Sequence, residues 1–475
     1  MTYLSDNFML GSPTGRTLYH ECAAELPIVD FHCHIEPAWV AGDKTFNDLA
    51  ELWVCHDPYK WRAMRINGIS EQRITGDATA WQKFEAWATT VPQTVGNPLF
   101  HWSGQELKRF FDVDQMLSLQ SAESIWLRCN ERLRDPAFST RGLLERLKVE
   151  TLCTSDDVLD TLAPHSQMRR QSGIQMLPSL RADRLIAVSD PGFRAFCIKL
   201  GNMTGIVVKD LESYEAAVRV RLDRFDALGC RLADVGLDQP VFAAPGKGMS
   251  SRHFAKALDG GTLDTSEKAE LQTALLLFLG EEYHRRDWAM QLHIGAQRTT
   301  SHRLQHRVGA AGGYACIGKS SDVGPLVAFL NHLEMRDALP RTVLYTLNPS
   351  DMDMYASVTG SFAQDGIVGK VQFGPAWWLN DNRDGIERQL KALSNMGLLS
   401  RHIGMTTDSR SLLSYSRHEY YRRILCSLIG SWVDMGELPR DMDLIFRLIR
   451  NLCYSNAKNW LAPKGRKAGH IQSTP

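Results

Sequence analysis

Eight short, mostly apolar runs recur along the chain, and helix-like sequence lies between them. Runs of this length that end in polar residues, glycine or proline are typical of buried parallel strands. Helical patterns at 214–227 and 267–286 fit between the runs. The alternation predicts an α/β protein, a closed (β/α)8 TIM-type barrel rather than an open doubly wound sheet. The predicted strands are 28–34, 149–155, 174–180, 230–235, 290–295, 342–347, 370–374 and 402–408.

The first two predicted strands are separated by more than a hundred residues, with helical patterns at 81–88, 105–111 and 122–133. A connection between a strand and the next helix of a barrel usually needs only about 2–6 residues. Residues 36–148 are therefore predicted to form a helical insertion over the catalytic face, with the first barrel helix at its end. The barrel itself is predicted to take residues 1–35 and 149–475.

Composition narrows the class of protein. The chain has 475 residues, its 54 basic and 54 acidic residues balance, and 44% of its residues are hydrophobic. This balance favours neither a nucleic-acid partner nor a membrane surface, and no run reaches the roughly 20 apolar residues of a membrane span. The first 26 residues are too polar for a signal peptide, and the ten cysteines form no C-x-x-C pair. We expect a cytoplasmic protein, and a homo-oligomer because large barrel proteins are frequently symmetric assemblies.

The first predicted strand carries His32 and His34 at positions i and i+2, on one side of the strand. An H-x-H pair alone is a weak signal, and a structural role for both histidines is the plain alternative. Their position at the end of a buried strand favours metal binding, because burying two imidazoles without partners is costly. Barrel enzymes also place their chemistry at this end of the strands.

Two other predicted strands end in possible ligands. The last ends at Asp408, with Arg410 two residues later, and the fifth carries His293. A catalytic metal usually takes three protein ligands and leaves a position for water or substrate. A solvated salt bridge between Asp408 and Arg410 is the alternative for that pair, and a core histidine is the alternative for His293.

Several ordered blocks together resemble the uronate isomerase (glucuronate isomerase) family of the amidohydrolase superfamily. The resemblance runs through most of the chain, and an ordered series of blocks is far more specific than one motif. The blocks are DFHCH at 30–34, YKWR at 59–62, GNPLFHW at 96–102, QLHIG at 291–295, KVQFG at 370–374, WW at 377–378, TDSRS at 407–411 and YSRHEY at 415–420.

The resemblance implies an aldose-ketose isomerase of hexuronates that converts D-glucuronate to D-fructuronate and D-galacturonate to D-tagaturonate by enediol proton transfer. It also implies one divalent metal ion. Zinc is expected, with manganese or another divalent ion as an alternative that suits the same ligands almost as well. The partner is then a small acidic sugar.

By the same resemblance, His32, His34 and Asp408 are metal ligands, and His293 is a ligand or orients metal-bound oxygen. Asp408 together with Arg410 is expected to shuttle a proton.

Three further residues are assigned to the substrate through the resemblance. Tyr59 is expected to face the reacting carbons as acid or base, Arg181 to pair with the substrate carboxylate, and Trp377 to wall the sugar. The alternatives are aromatic packing for Tyr59 and Trp377 and a structural salt bridge for Arg181.

Four positions depart from the family pattern, namely Pro58, Leu180, Val235 and Lys319. We interpret them as drift in the substrate-facing loops beside an intact metal shell. Two other functions are alternatives to the isomerase: a hydrolase, hydratase or lyase that acts on another small carboxylate, and a binding protein without catalysis.

Overall fold

The computed structural model describes residues 3–171, 173–244 and 246–462. Seven parallel strands form one sheet, and two short strands form a separate antiparallel pair. Within the described residues the strands are β1 Ile28–Asp30, β2 Val149–Asp157, β3 Gln175–Arg181, β4 Leu232–Leu237, β5 Ala289–Ile294, β6 Ala296–Gln297, β7 Cys316–Ile317, β8 Thr342–Thr346 and β9 Val371–Phe373. The sheet has the order β1-β2-β3-β4-β5-β8-β9, so consecutive long strands are neighbours.

Seven of the eight predicted strands are confirmed to within a few residues, and the eighth is wrong. Residues 402–408 are not a strand, although they lie beside the end of β1. The Asp408 amide donates to the His32 carbonyl at 3.1 Å, and the His34 amide donates to the Ser409 carbonyl at 2.9 Å. The described fold therefore has a sheet of seven strands and an eighth segment that is hydrogen-bonded to the residues just after the first strand.

Side chains explain why this eighth segment is irregular. The Thr406 hydroxyl accepts the His32 amide at 2.9 Å, and Asp30 accepts the Thr407 amide at 3.1 Å. On the other side, the Gln372 amide group accepts from the Ile403 amide at 3.2 Å and donates to the Arg401 carbonyl at 3.0 Å. Backbone groups that would pair in a ladder are thus satisfied by side chains instead.

The sheet is buried on both faces, as its apolar strands require. Val29, Leu177 and Val343 belong to a small cluster on one face. The alternating positions Met176 and Leu344 belong to the large cluster that includes residues of the helices. Because successive residues of a strand point to opposite faces, the two clusters are two layers around one sheet.

The helices predicted at 81–88, 105–111, 122–133, 214–227 and 267–286 are confirmed. None of the described helices is both long and apolar enough to cross a membrane. The predicted barrel boundary at residue 475 falls outside the described residues, which end at 462. The described α-helices are α1 Pro13–Leu18, α2 Pro37–Gly42, α3 Leu49–Trp53, α4 Pro58–Ile66, α5 Ala80–Thr90, α6 Pro98–Phe111, α7 Ala122–Arg132, α8 Thr140–Arg146, α9 Ala163–Met168, α10 Phe193–Thr204, α11 Leu211–Ala227, α12 Met249–Leu258, α13 Thr265–Arg285, α14 His302–Val308, α15 Val323–Glu334, α16 Met352–Ser361, α17 Arg383–Met396, α18 Arg417–Asp434, α19 Met442–Arg450 and α20 Asn456–Leu461.

Candidate active site

An open cavity of about 740 Å³ lies at the carboxyl ends of the parallel strands. This is the edge where barrel and other parallel-sheet enzymes place their reacting groups. All eight residues predicted for the site line it, namely His32, His34, Tyr59, Arg181, His293, Trp377, Asp408 and Arg410. The structure thus brings together residues from both ends of the sequence.

His32 and His34 lie just beyond the end of β1, not on it, because β1 ends at Asp30. Their rings are nevertheless neighbours, with centroids 5.1 Å apart. Both reach the same oxygen, since the Oδ1 atom of Asp408 lies 3.3 Å from His32 Nε2 and 3.0 Å from His34 Nε2. Two imidazoles and one carboxylate therefore converge on one point.

The charges of this group are set by burial and by mutual contact. Burial alone raises the pKa of Asp408, but hydrogen bonds from His32 and His34 outweigh it and hold that pKa well below its usual range. Burial lowers the pKa of His34, and burial together with the nearby His32 lowers the pKa of His293 well below its usual value. The carboxylate is ionised and these two imidazoles are neutral, which are the forms that bind cations.

A second set of ligand-type atoms shares His32. The Nδ1 atom of His32 lies 4.0 Å from Oδ1 of Asp234, and His293 is the third residue of this group. Burial raises the pKa of Asp234, which lies in β4. Asp234 carries no role in the sequence analysis, although its place at the end of the fourth predicted strand was a usable signal. His293 thus belongs to the site rather than to the core alone.

Two buried ring nitrogens test whether a metal ion fits here. His32 Nδ1 and His293 Nε2 are buried and have no hydrogen-bond partner among the described residues. A buried polar atom without a partner is costly, so such an atom usually marks a missing water, ion or ligand. Histidine and carboxylate donors suit zinc and similar divalent ions. The residues therefore fit a divalent metal ion.

Trp377 contacts the carboxylate directly. Its Nε1 atom donates to Oδ2 of Asp408 at 2.8 Å, and its ring lies 4.8 Å from that of His293. The Tyr345 ring stacks on His293 at 4.3 Å, and its hydroxyl donates to Gln291. The prediction that Trp377 walls the sugar is untested, but its hydrogen bond fixes one oxygen of Asp408.

Tyr59 enters the cavity from the start of α4. Asp57 caps this helix by accepting the Tyr59 amide at 2.9 Å, and Pro58 occupies its first turn, where the missing amide costs nothing. Burial raises the pKa of Tyr59 well above its usual value, so the phenol is protonated at neutral pH. Its hydroxyl is buried without a partner among the described residues. Tyr59 therefore offers an unused proton donor.

The arginines of the cavity differ in their partners. The Nε atom of Arg181 donates to Asp183 at 3.1 Å, so Arg181 forms the salt bridge that was its structural alternative. Its two terminal nitrogens have no hydrogen-bond partner among the described residues. Arg410 forms no ion pair with Asp408 within 4.0 Å in the described part of the chain, which argues against a solvated salt bridge between them.

Of the four departures from the family pattern, only Pro58 lines the cavity. Leu180 and Val235 are buried in the large apolar cluster, and Lys319 is exposed outside the cavity lining. The interpretation of all four as drift in substrate-facing loops is therefore wrong. Alternation explains the first case, because Leu180 points away from the face on which its neighbour Arg181 lies.

The cavity also contains residues that the sequence analysis gave no role. Asp183 follows β3, and Arg298 follows β6. Each lies in a connection beyond a strand end. Apolar periodicity gives no signal in such connections, so only their place after a predicted strand could have pointed to them.

Comparison with known proteins gives one consistent result. The family model described as glucuronate isomerase matches residues 1–461. A uronate isomerase of Bacillus licheniformis is 44% identical over 459 residues, covering 96% of this chain and 97% of the relative. One of Haemophilus influenzae is 43% identical over 463 residues, covering 97% and 99%.

Solved structures agree with this similarity. The crystal structure of a uronate isomerase from Thermotoga maritima superposes with a TM-score of 0.92 at 30% identity and covers 97% of this chain and 100% of its own. A glucuronate isomerase from Caulobacter crescentus gives a TM-score of 0.89 at 21% identity, covering 97% of this chain and 98% of its own, and supports the fold alone.

Proposed function

The chain belongs to the glucuronate isomerase family and is an isomerase of uronates, and on that premise we propose that it interconverts hexuronate aldoses and ketoses by moving a proton between two adjacent carbons. The substrates are D-glucuronate and D-galacturonate, and the products D-fructuronate and D-tagaturonate. The observation that carries the proposal is the convergence of His32, His34 and Asp408 in one cavity with an unpaired Tyr59 hydroxyl.

His32, His34 and Asp408 would hold a single divalent metal ion, with His293 as a further ligand or as a partner that would orient an oxygen bound to the ion. Zinc is the first choice, and manganese fits the same donors. When bound, the ion supplies a Lewis acid that polarises the carbonyl and hydroxyl oxygens of the sugar. The neutral imidazole of His34 and the ionised carboxylate of Asp408 support this assignment.

The proton leaves C2 of the open-chain sugar and returns at C1 through an enediol. Asp408, with Arg410 close in sequence, is the carboxylate that shuttles protons, and Trp377 holds its second oxygen in place. Tyr59 is protonated and faces the cavity, so its hydroxyl donates to the sugar oxygen on which charge develops.

The substrate carboxylate binds to arginine. The free terminal nitrogens of Arg181 match the planar geometry of a carboxylate, and Trp377 borders the sugar. A cavity that contains several arginines favours an acidic substrate, which agrees with a family that acts on sugar acids.

Purified protein loaded with zinc or manganese tests the reaction. Incubation with D-glucuronate and D-galacturonate in deuterated water should give ketose and show how far solvent deuterium replaces the C2 proton. No ketose from either sugar with metal bound would contradict the assignment.

The metal assignment has its own measurement. Elemental analysis should find about one ion per chain in the wild type and in His332→Asn, whose residue lies outside the cavity lining. His32→Asn and Asp408→Asn should lose most of the ion together with activity. Full occupancy in both site variants would show that the ligands are elsewhere.

We also propose that the eighth segment closes the sheet into a (β/α)8 barrel over residues 1–35 and 149–475, with residues 36–148 as a helical insertion over the catalytic face. The hydrogen bonds from the eighth segment to the residues after β1, and α2 to α8 between β1 and β2, support this. The enzyme is proposed to be a cytoplasmic homo-oligomer without nucleic-acid partners. Light scattering of the purified protein tests the oligomer.

A further inference from the structure

Gly236, near the end of β4, is glycine for reasons of space rather than backbone conformation. Its φ angle is outside the left-handed region. A Cβ atom built on it would lie 2.4 Å from Nη2 of Arg298 and 3.1 Å from Oδ1 of Asp183. Non-bonded atoms do not approach to 2.4 Å, so any side chain at this position would displace the Arg298 guanidinium. The guanidinium therefore occupies the volume that the missing side chain leaves.

Arg298 has no hydrogen bond or ion pair with any described residue, although it lines the cavity and is half-buried. The carboxylate of Asp183, which also borders the space beside Gly236, is already paired with Arg181 at 3.1 Å. Arg298 thus brings a positive charge that no neighbour within ion-pair distance compensates. A partly desolvated guanidinium with free donors is a ready anion-binding group, because charge-assisted hydrogen bonds are among the strongest that side chains make.

The residues around Arg298 determine which anion it binds. Arg298 and Asp183 meet at the same point beside Gly236, and Asp183 also holds Arg181, so two guanidinium groups flank one carboxylate. This cluster lies at the ends of β3, β4 and β6, and the cavity also contains the ligand-type atoms of His32 and His293. A ligand that reaches both regions carries an anionic group and oxygen atoms able to bind a metal ion. A sugar acid has both.

We propose that Arg298 is a specificity-determining residue that binds the carboxylate of the hexuronate together with Arg181, and that Gly236 makes room for it. The inference rests on the proposed function for the identity of the sugar acid. It adds a residue, and a reason for a glycine, that the isomerase assignment alone does not require.

The test compares Arg298→Gln with Arg298→Lys, and with Arg303→Gln as a control in an exposed part of α14. Calorimetry gives the Kd of D-glucuronate for the metal-loaded enzymes, and turnover gives KM and kcat. Loss of a charge-assisted contact predicts a Kd and KM roughly 10- to 100-fold higher for Arg298→Gln. Arg298→Lys should recover part of the loss, and Arg303→Gln should match the wild type.

The uncharged sugar D-glucose separates carboxylate binding from general damage. If Arg298 binds the carboxylate, Arg298→Gln should leave any residual binding or turnover of D-glucose unchanged. Gly236→Ala should raise the KM for D-glucuronate without lowering the thermal midpoint, because the displaced group is the end of a flexible side chain. The double variant should be no worse than Arg298→Gln alone, since both changes remove the same contact.

An unchanged Kd and KM in Arg298→Gln would overturn the inference. Failure of the proposed function looks different. The wild type would then bind D-glucuronate in a way that depends on Arg298 but release no ketose, which would support the carboxylate site and contradict the isomerase.

Discussion

The buried carboxylate of Asp30 connects the first strand to the eighth segment, and removing it is the sharpest test of how the site is held. Asp30 accepts the Thr407 hydroxyl at 2.5 Å and the Thr407 amide at 3.1 Å, and it accepts the Thr406 hydroxyl as well. One residue further on is Asp408, which carries the carboxylate of the site. Asp30→Ala therefore removes contacts that anchor the segment carrying Asp408 without changing Asp408 itself.

The cost follows from the three contacts. Hydrogen bonds to a charged group contribute about 1.5–3 kcal/mol each, but a hydroxyl can rotate toward another acceptor while the Thr407 amide cannot. We expect Asp30→Ala to lower the local free energy of opening by roughly 3–5 kcal/mol. Asp30→Asn keeps the shape and one carbonyl oxygen, so about 1–2 kcal/mol is expected.

Hydrogen exchange measured by mass spectrometry on a peptide covering 402–409 reports this opening. In Asp30→Ala the amides of Thr407 and Asp408 should exchange roughly two to four orders of magnitude faster, at about 1.4 kcal/mol per tenfold change. Asp365→Ala, at an exposed position, should leave this peptide unchanged. Wild-type exchange in Asp30→Ala would refute the reasoning and show that other contacts hold the segment.

Three other changes test separate features of the structure. Trp377→Phe keeps the ring beside His293 but loses the hydrogen bond to Asp408, so kcat/KM should fall about tenfold, and a fall below twofold would contradict that role. Asp381→Ala leaves the buried Arg417 without its carboxylate partner and should lower the free energy of unfolding, measured in urea, by roughly 3–5 kcal/mol. Asp381→Leu combined with Arg417→Met should recover most of that loss. A clearly smaller loss in the single variant would contradict the importance of the pair. Burial lowers the pKa of His402 from 6.5 to about 3, so the folded state binds fewer protons than the unfolded chain between these values, and stability is lost as the pH falls from about 6.5 toward 3. His402→Leu should remove up to roughly 5 kcal/mol of that pH dependence, and identical pH profiles of wild type and variant would refute it.

The apolar pattern predicted the fold well wherever the backbone pairs with itself. The run at 290–295 became β5 at Ala289–Ile294, because a buried parallel strand needs a continuous apolar sequence. The run at 402–408 has the same character, yet Thr406 and Asp30 use their side chains to satisfy backbone groups there. Such side-chain bonds depend on a partner hundreds of residues away, so a pattern within the run could not predict them.

The residues of the site also fall into a group that the sequence pattern predicted and a group that it did not. His32, His34, His293 and Asp408 stand at the ends of apolar runs, and their place in the pattern predicted that they meet. Arg298 and Asp183 follow short or irregular elements, and nothing in their local sequence separates them from surface residues. Their importance appears only through contact, as when the absent side chain of Gly236 is matched by the Arg298 guanidinium. The sequence alone does not show which side chains are neighbours in space.

The meeting of His34 and Asp408 across 374 residues has a consequence for how the enzyme is made. A ribosome completes the first strand and its two histidines early, but their carboxylate partner emerges only near the end of synthesis. A nascent chain that stops before residue 408 therefore offers an incomplete chelate. With the ligands proposed above, tight retention of an ion would report that both ends have joined, and premature termination products would be recognised by their failure to keep metal.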